Sequence, residues 1–217
     1  MVAWARLAAL KIFFLIIAIR ILRGLAFAVA FAGTTAAGGC VEEFIARDLP
    51  LAIYVDAAFE EDELAAAQSA LDEWNEKAAS CLQIGEKVFV YEGLYRDADG
   101  FKVADLVDGR HTIYKITEET EEIKFLRARY GYEISGYGTA GDALILVNDL
   151  PPPMTEDAEH HQLYLDALRR TILHELGHML MLAHFDQARA IMNTRQSSRV
   201  EHLTAKDIEQ FCIVYAR

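Results

Sequence analysis

The stretch HELGHMLMLAH, residues 174–184, limits the fold of this chain more than any other feature. Two histidines four residues apart lie about 40° apart on one face of an α-helix, so the imidazoles of His174 and His178 can reach one metal ion. A catalytic zinc ion takes three protein ligands and leaves one position for water. His184 is the candidate third ligand, but on a continuous helix it would point roughly 120° away from His178. The helix is therefore expected to end before His184.

The motif resembles that of the metzincin clan of zinc endopeptidases, H-E-x-x-H-x-x-G-x-x-H, which is followed by a tight turn that carries a methionine under the metal. Histidines stand at the three required positions, a glutamate follows the first of them, and residues 190–193 supply a turn with a methionine. The resemblance implies a zinc-dependent endopeptidase that acts on a protein or peptide substrate. It assigns these roles: Zn2+ ligands His174, His178 and His184, general base Glu175 and Met-turn residue Met192.

The predicted elements cover nearly all of residues 49–215, and the last of them resembles the closing helix of matrixin-like metzincins. β-Branched and aromatic residues cluster in four stretches, which are predicted strands: 49–59, 87–91, 110–117 and 142–148. Apolar residues recur at helical spacing in three others, which are predicted helices: 60–80, 155–182 with Thr155 as cap, and the segment after Thr204, with Asp207 completing a capping box. The resemblance implies an α+β, metzincin-like zincin fold, with a mixed twisted sheet, a long first helix, an active-site helix, a Met-turn and a C-terminal helix.

Met181 stands at the position where the clan has glycine. Glycine lets the chain leave the helix with positive φ, whereas a bulky residue is strained there. Either the backbone turns differently just after this residue, or His184 is not a ligand. The second case leaves two alternatives: a zinc peptidase of another clan with Asp186 or Glu201 as third ligand, or a non-catalytic envelope lipoprotein that keeps this scaffold for binding.

A glycine-rich stretch precedes the predicted strand at 142–148 and indicates irregular backbone that another chain can approach closely. In metzincins the strand that borders the cleft binds extended substrate by sheet addition. By this resemblance the substrate rim consists of Gly136, Tyr137, Gly138, Thr139 and Ala140.

The first 39 residues are almost all apolar, contain no acidic residue and carry four basic ones. Small residues precede Cys40, and this ending resembles a bacterial lipoprotein signal, in which the cysteine becomes lipidated. Cleavage by an ordinary signal peptidase and an uncleaved membrane anchor stay open as alternatives. We therefore predict a signal peptide or anchor over 1–39 and one exported domain over 40–217, either lipid-anchored in the bacterial cell envelope or secreted.

Charge and cysteine content fit an exported domain. Residues 40–217 hold 17 basic and 33 acidic residues, a net charge of −16, and this balance argues against nucleic acid as a partner because phosphate binding requires clustered Lys and Arg. If Cys40 carries lipid, Cys81 and Cys212 remain and can pair as a disulfide. We expect a monomer that is either secreted or attached to a membrane through the N-terminus or the lipidated cysteine.

Overall fold

The computed structural model describes residues 48–83, 85–95, 108–130, 136–138, 141–152, 157–185, 189–193 and 200–215 of the chain. These residues belong to one unit, which spans 44–217. The predicted leader, Cys40 and Thr155 lie outside the described residues. Among the helices that are described, none combines the length and the apolar character needed to cross a membrane.

The described strands form one mixed sheet. They are β1 (Leu51–Asp56), β2 (Phe89–Tyr95), β3 (His111–Ile116), β4 (Gly136–Gly138) and β5 (Ala143–Leu146). Their order in the sheet is β2-β1-β3-β5-β4. The pairs β2–β1, β1–β3 and β3–β5 are parallel, whereas β4 runs antiparallel to β5. The short strand β4 therefore lies at one edge of this sheet, which is mixed as predicted.

The described helices are α1 (Glu61–Ala78), α2 (Glu121–Tyr130), α3 (Ala158–Met179) and α4 (Ala205–Tyr215). Helix α1 begins with three acidic residues, which interact favourably with the positive end of the helix dipole. Helix α3 begins later than predicted, because the carboxylate of Asp157 accepts hydrogen bonds from the amides of Glu159 and His160. Asp157, rather than Thr155, is therefore its N-cap.

The sheet separates two hydrophobic clusters, because successive residues of a strand point to opposite faces. Ile113 and Ile145 belong to the larger cluster, to which helices α1, α3 and α4 contribute. Tyr114 and Leu144 belong to the smaller one, together with Ile123 of α2. The helix that carries the histidine motif therefore lies on the face of the sheet that holds the larger cluster.

Two cross-links join helix α1 to the elements around the histidine motif. Trp74 is fully buried, and its indole N–H donates a hydrogen bond of 3.0 Å to the carbonyl of Leu173, the residue before His174. Cys81, just after α1, forms a disulfide with Cys212 of α4, with 5.2 Å between the Cα atoms. The predicted pairing of these two cysteines is confirmed.

Candidate metal centre

Helix α3 carries His174 and His178 on one face, as their spacing requires. The Nε2 atoms of these residues lie 3.1 Å apart. His184 brings its own Nε2 to 2.9 Å from that of His174 and 3.0 Å from that of His178. Within the described part of the chain, these three histidines are the group of His, Cys, Asp or Glu side chains that could hold a metal ion. The structure thus brings together the three residues that the motif singles out.

The chain leaves helix α3 in a turn that brings the third histidine to the other two. Leu180 ends the helix with φ −83° and ψ 12°, and Met181 follows with φ 64°. The amide of Met181 donates to the carbonyl of His178 (2.9 Å), and the amide of Leu182 donates to the carbonyl of Gly177 (3.0 Å). These two bonds around a left-handed residue make a Schellman C-cap. The methionine therefore adopts the conformation that favours glycine, and the turn occurs at this residue rather than after it.

Backbone carbonyls hold the other ring nitrogens of the two helical histidines. Nδ1 of His174 lies 2.6 Å from the carbonyl oxygen of Ile191, and Nδ1 of His178 lies 2.9 Å from that of Leu182. A carbonyl oxygen only accepts, so each Nδ1 carries the hydrogen, and each Nε2 of a neutral ring keeps its lone pair. Two lone pairs then face each other at hydrogen-bond distance with no proton between them. A cation at this point stabilises such an arrangement.

Desolvation favours the neutral form of the three rings, although His184 is exposed. Desolvation, with a smaller contribution from the neighbouring His178, lowers the pKa of His174 to about 3. Desolvation, followed by the proximity of His184, lowers the pKa of His178 to about 4. Desolvation also lowers the pKa of His184. At neutral pH each ring therefore has a lone pair to offer to a metal ion.

The donor set and its spacing fit Zn2+. Zinc binds imidazole nitrogen at 2.0–2.1 Å in tetrahedral geometry, which sets ligand nitrogens about 3.3 Å apart. The three Nε2 atoms are 2.9 to 3.1 Å apart, close to that value. Calcium and magnesium prefer oxygen ligands, and the cluster offers nitrogen. Three protein ligands, rather than four, are the number that a catalytic zinc site uses.

A buried carboxylate holds the Met-turn in place. Asp207, in the first turn of α4, is fully buried and accepts hydrogen bonds from the amides of Ile191 (3.1 Å) and Met192 (3.0 Å). It also accepts from the amide and the hydroxyl of Thr204 (2.8 and 2.7 Å), in line with the predicted capping box. Because the carbonyl of Ile191 accepts from His174, Asp207 fixes the ring of His174 through one backbone unit.

Met192 packs directly on the helical turn that carries both histidines. It is fully buried. A methyl group added to Gly177, which lies in that turn, would overlap the sulfur of Met192 and lie 3.0 Å from its Cε. The small residue at position 177 therefore allows the methionine to reach the helix backbone.

Glu175 belongs to helix α3, and its side chain lies against the edge strand β4. Its side chain is buried, with 3% of the residue exposed. A Cβ atom added to Gly136, the first residue of β4, would lie 2.5 Å from Oε1 of Glu175. The residue after His174 and the strand predicted as the substrate rim are therefore in contact.

The remaining predicted site residues are the two acidic alternatives for the third ligand and the substrate rim. Glu201, one of the two acidic alternatives for the third ligand, is exposed and does not belong to the histidine cluster. Asp186, the other alternative, lies outside the described residues. Of the predicted rim, Gly136–Gly138 form strand β4, whereas Thr139 and Ala140 also lie outside the described residues.

Two contacts of the site have no clear signal in the sequence. The sequence predicts Asp207 as a helix cap, but its bonds to the Met-turn join residues 15 and 16 positions apart. It likewise predicts Gly136 as part of the rim, without its contact to Glu175. An acidic residue at the start of the helix that follows a methionine turn is the one clue to the first contact. The second depends on how α3 packs against the sheet.

Comparison with solved structures gives distant likenesses. No protein-family model matches the chain, and no curated protein matches it. Among solved structures, archaemetzincin from Methanopyrus kandleri is similar with a TM-score of 0.46 and 16% identity, over 77% of this chain and 95% of that one. A zinc-dependent peptidase from Methanocorpusculum labreanum is similar with a TM-score of 0.44 and 12% identity, over 74% of this chain and 99% of that one. Both TM-scores are below 0.5, so the function of this chain is inferred from its own site.

Proposed function

We propose that this chain is a zinc-dependent endopeptidase of the metzincin type. Zn2+ is held by His174, His178 and His184, and Glu175 is the general base. The observation that carries this proposal is the convergence of three Nε2 atoms at 2.9–3.1 Å, with a buried glutamate directly after the first of these histidines in the helix. Hydrolysis of an amide needs both parts, because three ligands leave a metal position open and the carboxylate supplies proton transfer.

In the proposed hydrolysis, Glu175 transfers protons and two backbone carbonyls orient the histidine rings. Zinc held by the three histidines would supply Lewis-acid chemistry: it would polarise a water molecule and lower the pKa of that water to about 7. The carboxylate of Glu175 takes the proton from the attacking water and later delivers it to the leaving amine. Its burial against β4 limits its exchange with bulk water. The carbonyls of Ile191 and Leu182 hold the rings of the two helical histidines in a fixed orientation throughout.

The proposed substrate is an extended segment of a protein or peptide. Strand β4 pairs with β5 on one side and is the outermost strand of the described sheet on the other. An extended peptide can add to such an edge through main-chain hydrogen bonds. The contact between Gly136 and Glu175 supports this choice, because it puts the edge strand beside the proposed base.

We further propose an exported, monomeric domain over 40–217, in the cell envelope or secreted. The disulfide between Cys81 and Cys212 supports this location, since disulfides persist in oxidising compartments. The apolar first 39 residues support it as well. Attachment to a membrane would occur through the N-terminus or a lipidated Cys40.

The test measures zinc content and casein hydrolysis of the full-length protein and of three variants. Glu175→Gln should keep about one zinc per chain and lose about 10²- to 10⁴-fold in kcat. His184→Ala should lose both zinc and activity. Glu201→Gln is the matched control, because this exposed acid is not in the cluster, and it should resemble wild type.

Each alternative has its own outcome in this experiment. A His184→Ala protein that keeps zinc and activity indicates a peptidase of another clan. A folded wild-type protein that binds no zinc indicates a non-catalytic scaffold. Full activity in Glu175→Gln contradicts the role of the glutamate as general base.

A further inference from the structure

Gly136 lies so close to Glu175 that a Cβ atom at position 136 would overlap the glutamate side chain unless that side chain moved. It is the first residue of β4, is buried, and pairs with Ile145 of β5. A Cβ atom at this position would lie 2.5 Å from Oε1 of Glu175 and 2.8 Å from both its Cδ and its Cγ. All three separations are under 3.0 Å, which real Cβ atoms essentially never show. The glutamate side chain therefore occupies the space that a Cβ atom of residue 136 would need.

Backbone conformation does not explain a glycine at this position. Gly85, Gly93 and Gly109 have φ of 88°, 121° and 88°, where a side chain is strained. Gly136 is not in this left-handed region, so an alanine could adopt its backbone conformation. What excludes a side chain here is the space taken by Glu175.

We propose that Gly136 is a positioning residue for Glu175. Its missing side chain leaves room for the carboxylate, and the backbone of β4 then limits where the carboxylate can lie. This inference rests on the proposed peptidase function and adds a link between two parts of the site. The strand that borders the substrate also sets the position of the group that moves the proton.

The size of the expected effect follows from the overlap. A contact at 2.5 Å must open by nearly 1 Å to reach ordinary van der Waals separation. Misplacement of a catalytic group by about 1 Å can cost about 100-fold in rate. If the carboxylate of Glu175 moves, kcat falls and KM changes little. If β4 moved instead, substrate binding would weaken and KM would rise.

The experiment compares full-length wild type, Gly136→Ala, Glu175→Gln and Ile145→Val, all loaded with zinc. Ile145→Val is the control, because it perturbs the same strand pair without adding an atom near Glu175. Zinc content, kcat and KM on a peptide substrate, and the Kd of acetohydroxamate by calorimetry are measured for each. Acetohydroxamate chelates zinc and hydrogen-bonds to a neighbouring carboxylate, so its affinity reports on Glu175 without any peptide hydrolysis.

Gly136→Ala should keep one zinc per chain and a KM within about threefold of wild type, with kcat about 100-fold lower. Its affinity for acetohydroxamate should fall about tenfold, as in Glu175→Gln, because a hydrogen bond to a charged group is weakened. The control should match wild type in all these measurements. Unchanged kcat and hydroxamate affinity in Gly136→Ala, or a rise in KM alone, would overturn the proposal.

A double variant tests the contact itself. Glu175→Asp shortens the side chain by one methylene and restores room for a methyl group at 136. The factor by which Gly136→Ala weakens acetohydroxamate binding should therefore be at least about five times smaller in the Glu175→Asp background than in the wild-type background. If Gly136→Ala alone does not fold, a folded double variant supports the contact and an unfolded one overturns it.

Failure of this inference is distinguishable from failure of the proposed function. A wild-type protein that binds zinc and acetohydroxamate but cleaves no peptide contradicts the peptidase function. In that case the hydroxamate affinities of Gly136→Ala and Glu175→Gln still decide whether the glycine positions the glutamate.

Discussion

Replacing Met181 tests the turn that brings His184 to the metal centre. Its φ of 64° lies in the left-handed region, which costs a residue with a Cβ about 1–2 kcal/mol. Glycine escapes this cost but loses about 0.4–1 kcal/mol more in conformational entropy on folding. Met181→Gly should therefore be more stable than Met181→Ala by about 0.5–1 kcal/mol. Both variants lack the methionine side chain beyond Cβ, so the difference between them isolates the backbone strain.

The assay is urea and thermal denaturation of the metal-free, full-length variants, together with a zinc competition titration. The expected difference in stability corresponds to about 1–4 °C in Tm for a domain of this size. Arg189, with φ 80°, is a matched second position at which the glycine variant should again be more stable than the alanine variant. An alanine variant as stable as the glycine variant at 181 would refute the argument from strain. Loss of zinc in Met181→Gly would refute the link between this turn and His184.

Two further predictions concern the support and the protonation of the histidines. Asp207→Asn puts an amide donor among four donors, so the free energy of unfolding should fall by about 2–4 kcal/mol. The affinity for zinc should fall about tenfold, because the Ile191 carbonyl that holds His174 loses its support. Denaturation and zinc titration measure both effects, with the exposed Glu209→Gln on the same helix as control, and wild-type values for Asp207→Asn would contradict this reasoning. In the metal-free protein the lowered pKa values of His174 (about 3) and His178 (about 4) mean that the unfolded rings bind protons below about pH 6.5 while the folded rings do not. The free energy of unfolding should therefore fall as pH drops from 6.5 towards 4. Denaturation at a series of pH values measures this slope, and His178→Gln should reduce it by about 1 kcal/mol per pH unit. Equal slopes in wild type and variant would argue against buried neutral histidines.

The sequence predicts the local part of the site well and the long-range part poorly. His174, Glu175 and His178 lie in one helix, where spacing alone fixes which side chains share a face. The position of His184 depends on φ at Met181, and residue type argues against the value that this residue adopts. Sequence could therefore offer alternatives for the third ligand, and only the folded backbone shows which histidine nitrogens meet.

The fold shows the same division. Residue type and periodicity predict the main strands and helices, because apolar faces must be buried. They do not predict α2, since its residues 121 and 122 continue an acidic run that is typical of a solvated surface. They also do not give the antiparallel, edge position of β4, which follows from pairing with β5. The contact of Gly136 with Glu175 depends on that position.

Helix α4 supports two different ligands of the proposed zinc site from its two ends. Near its start, Asp207 binds the Met-turn, whose Ile191 carbonyl orients His174. At its last residue, Tyr215 donates a buried hydrogen bond of 3.1 Å to the carbonyl of Leu180, the C-cap of α3. That carbonyl immediately precedes the left-handed turn that leads to the third histidine.

Because both contacts belong to one helix, any displacement of α4 would disturb the orientation of His174 and the exit from α3 together. Cys212 lies between Asp207 and Tyr215 in this helix and is bonded to Cys81, which follows α1. Helix α1 is itself tied to α3 by the hydrogen bond from Trp74 to the carbonyl of the residue before His174. The disulfide therefore closes a loop of contacts from α3 through α1 and α4 back to α3. It opposes a displacement of α4, which would disturb the supports of His174 and of the turn that leads to His184 together.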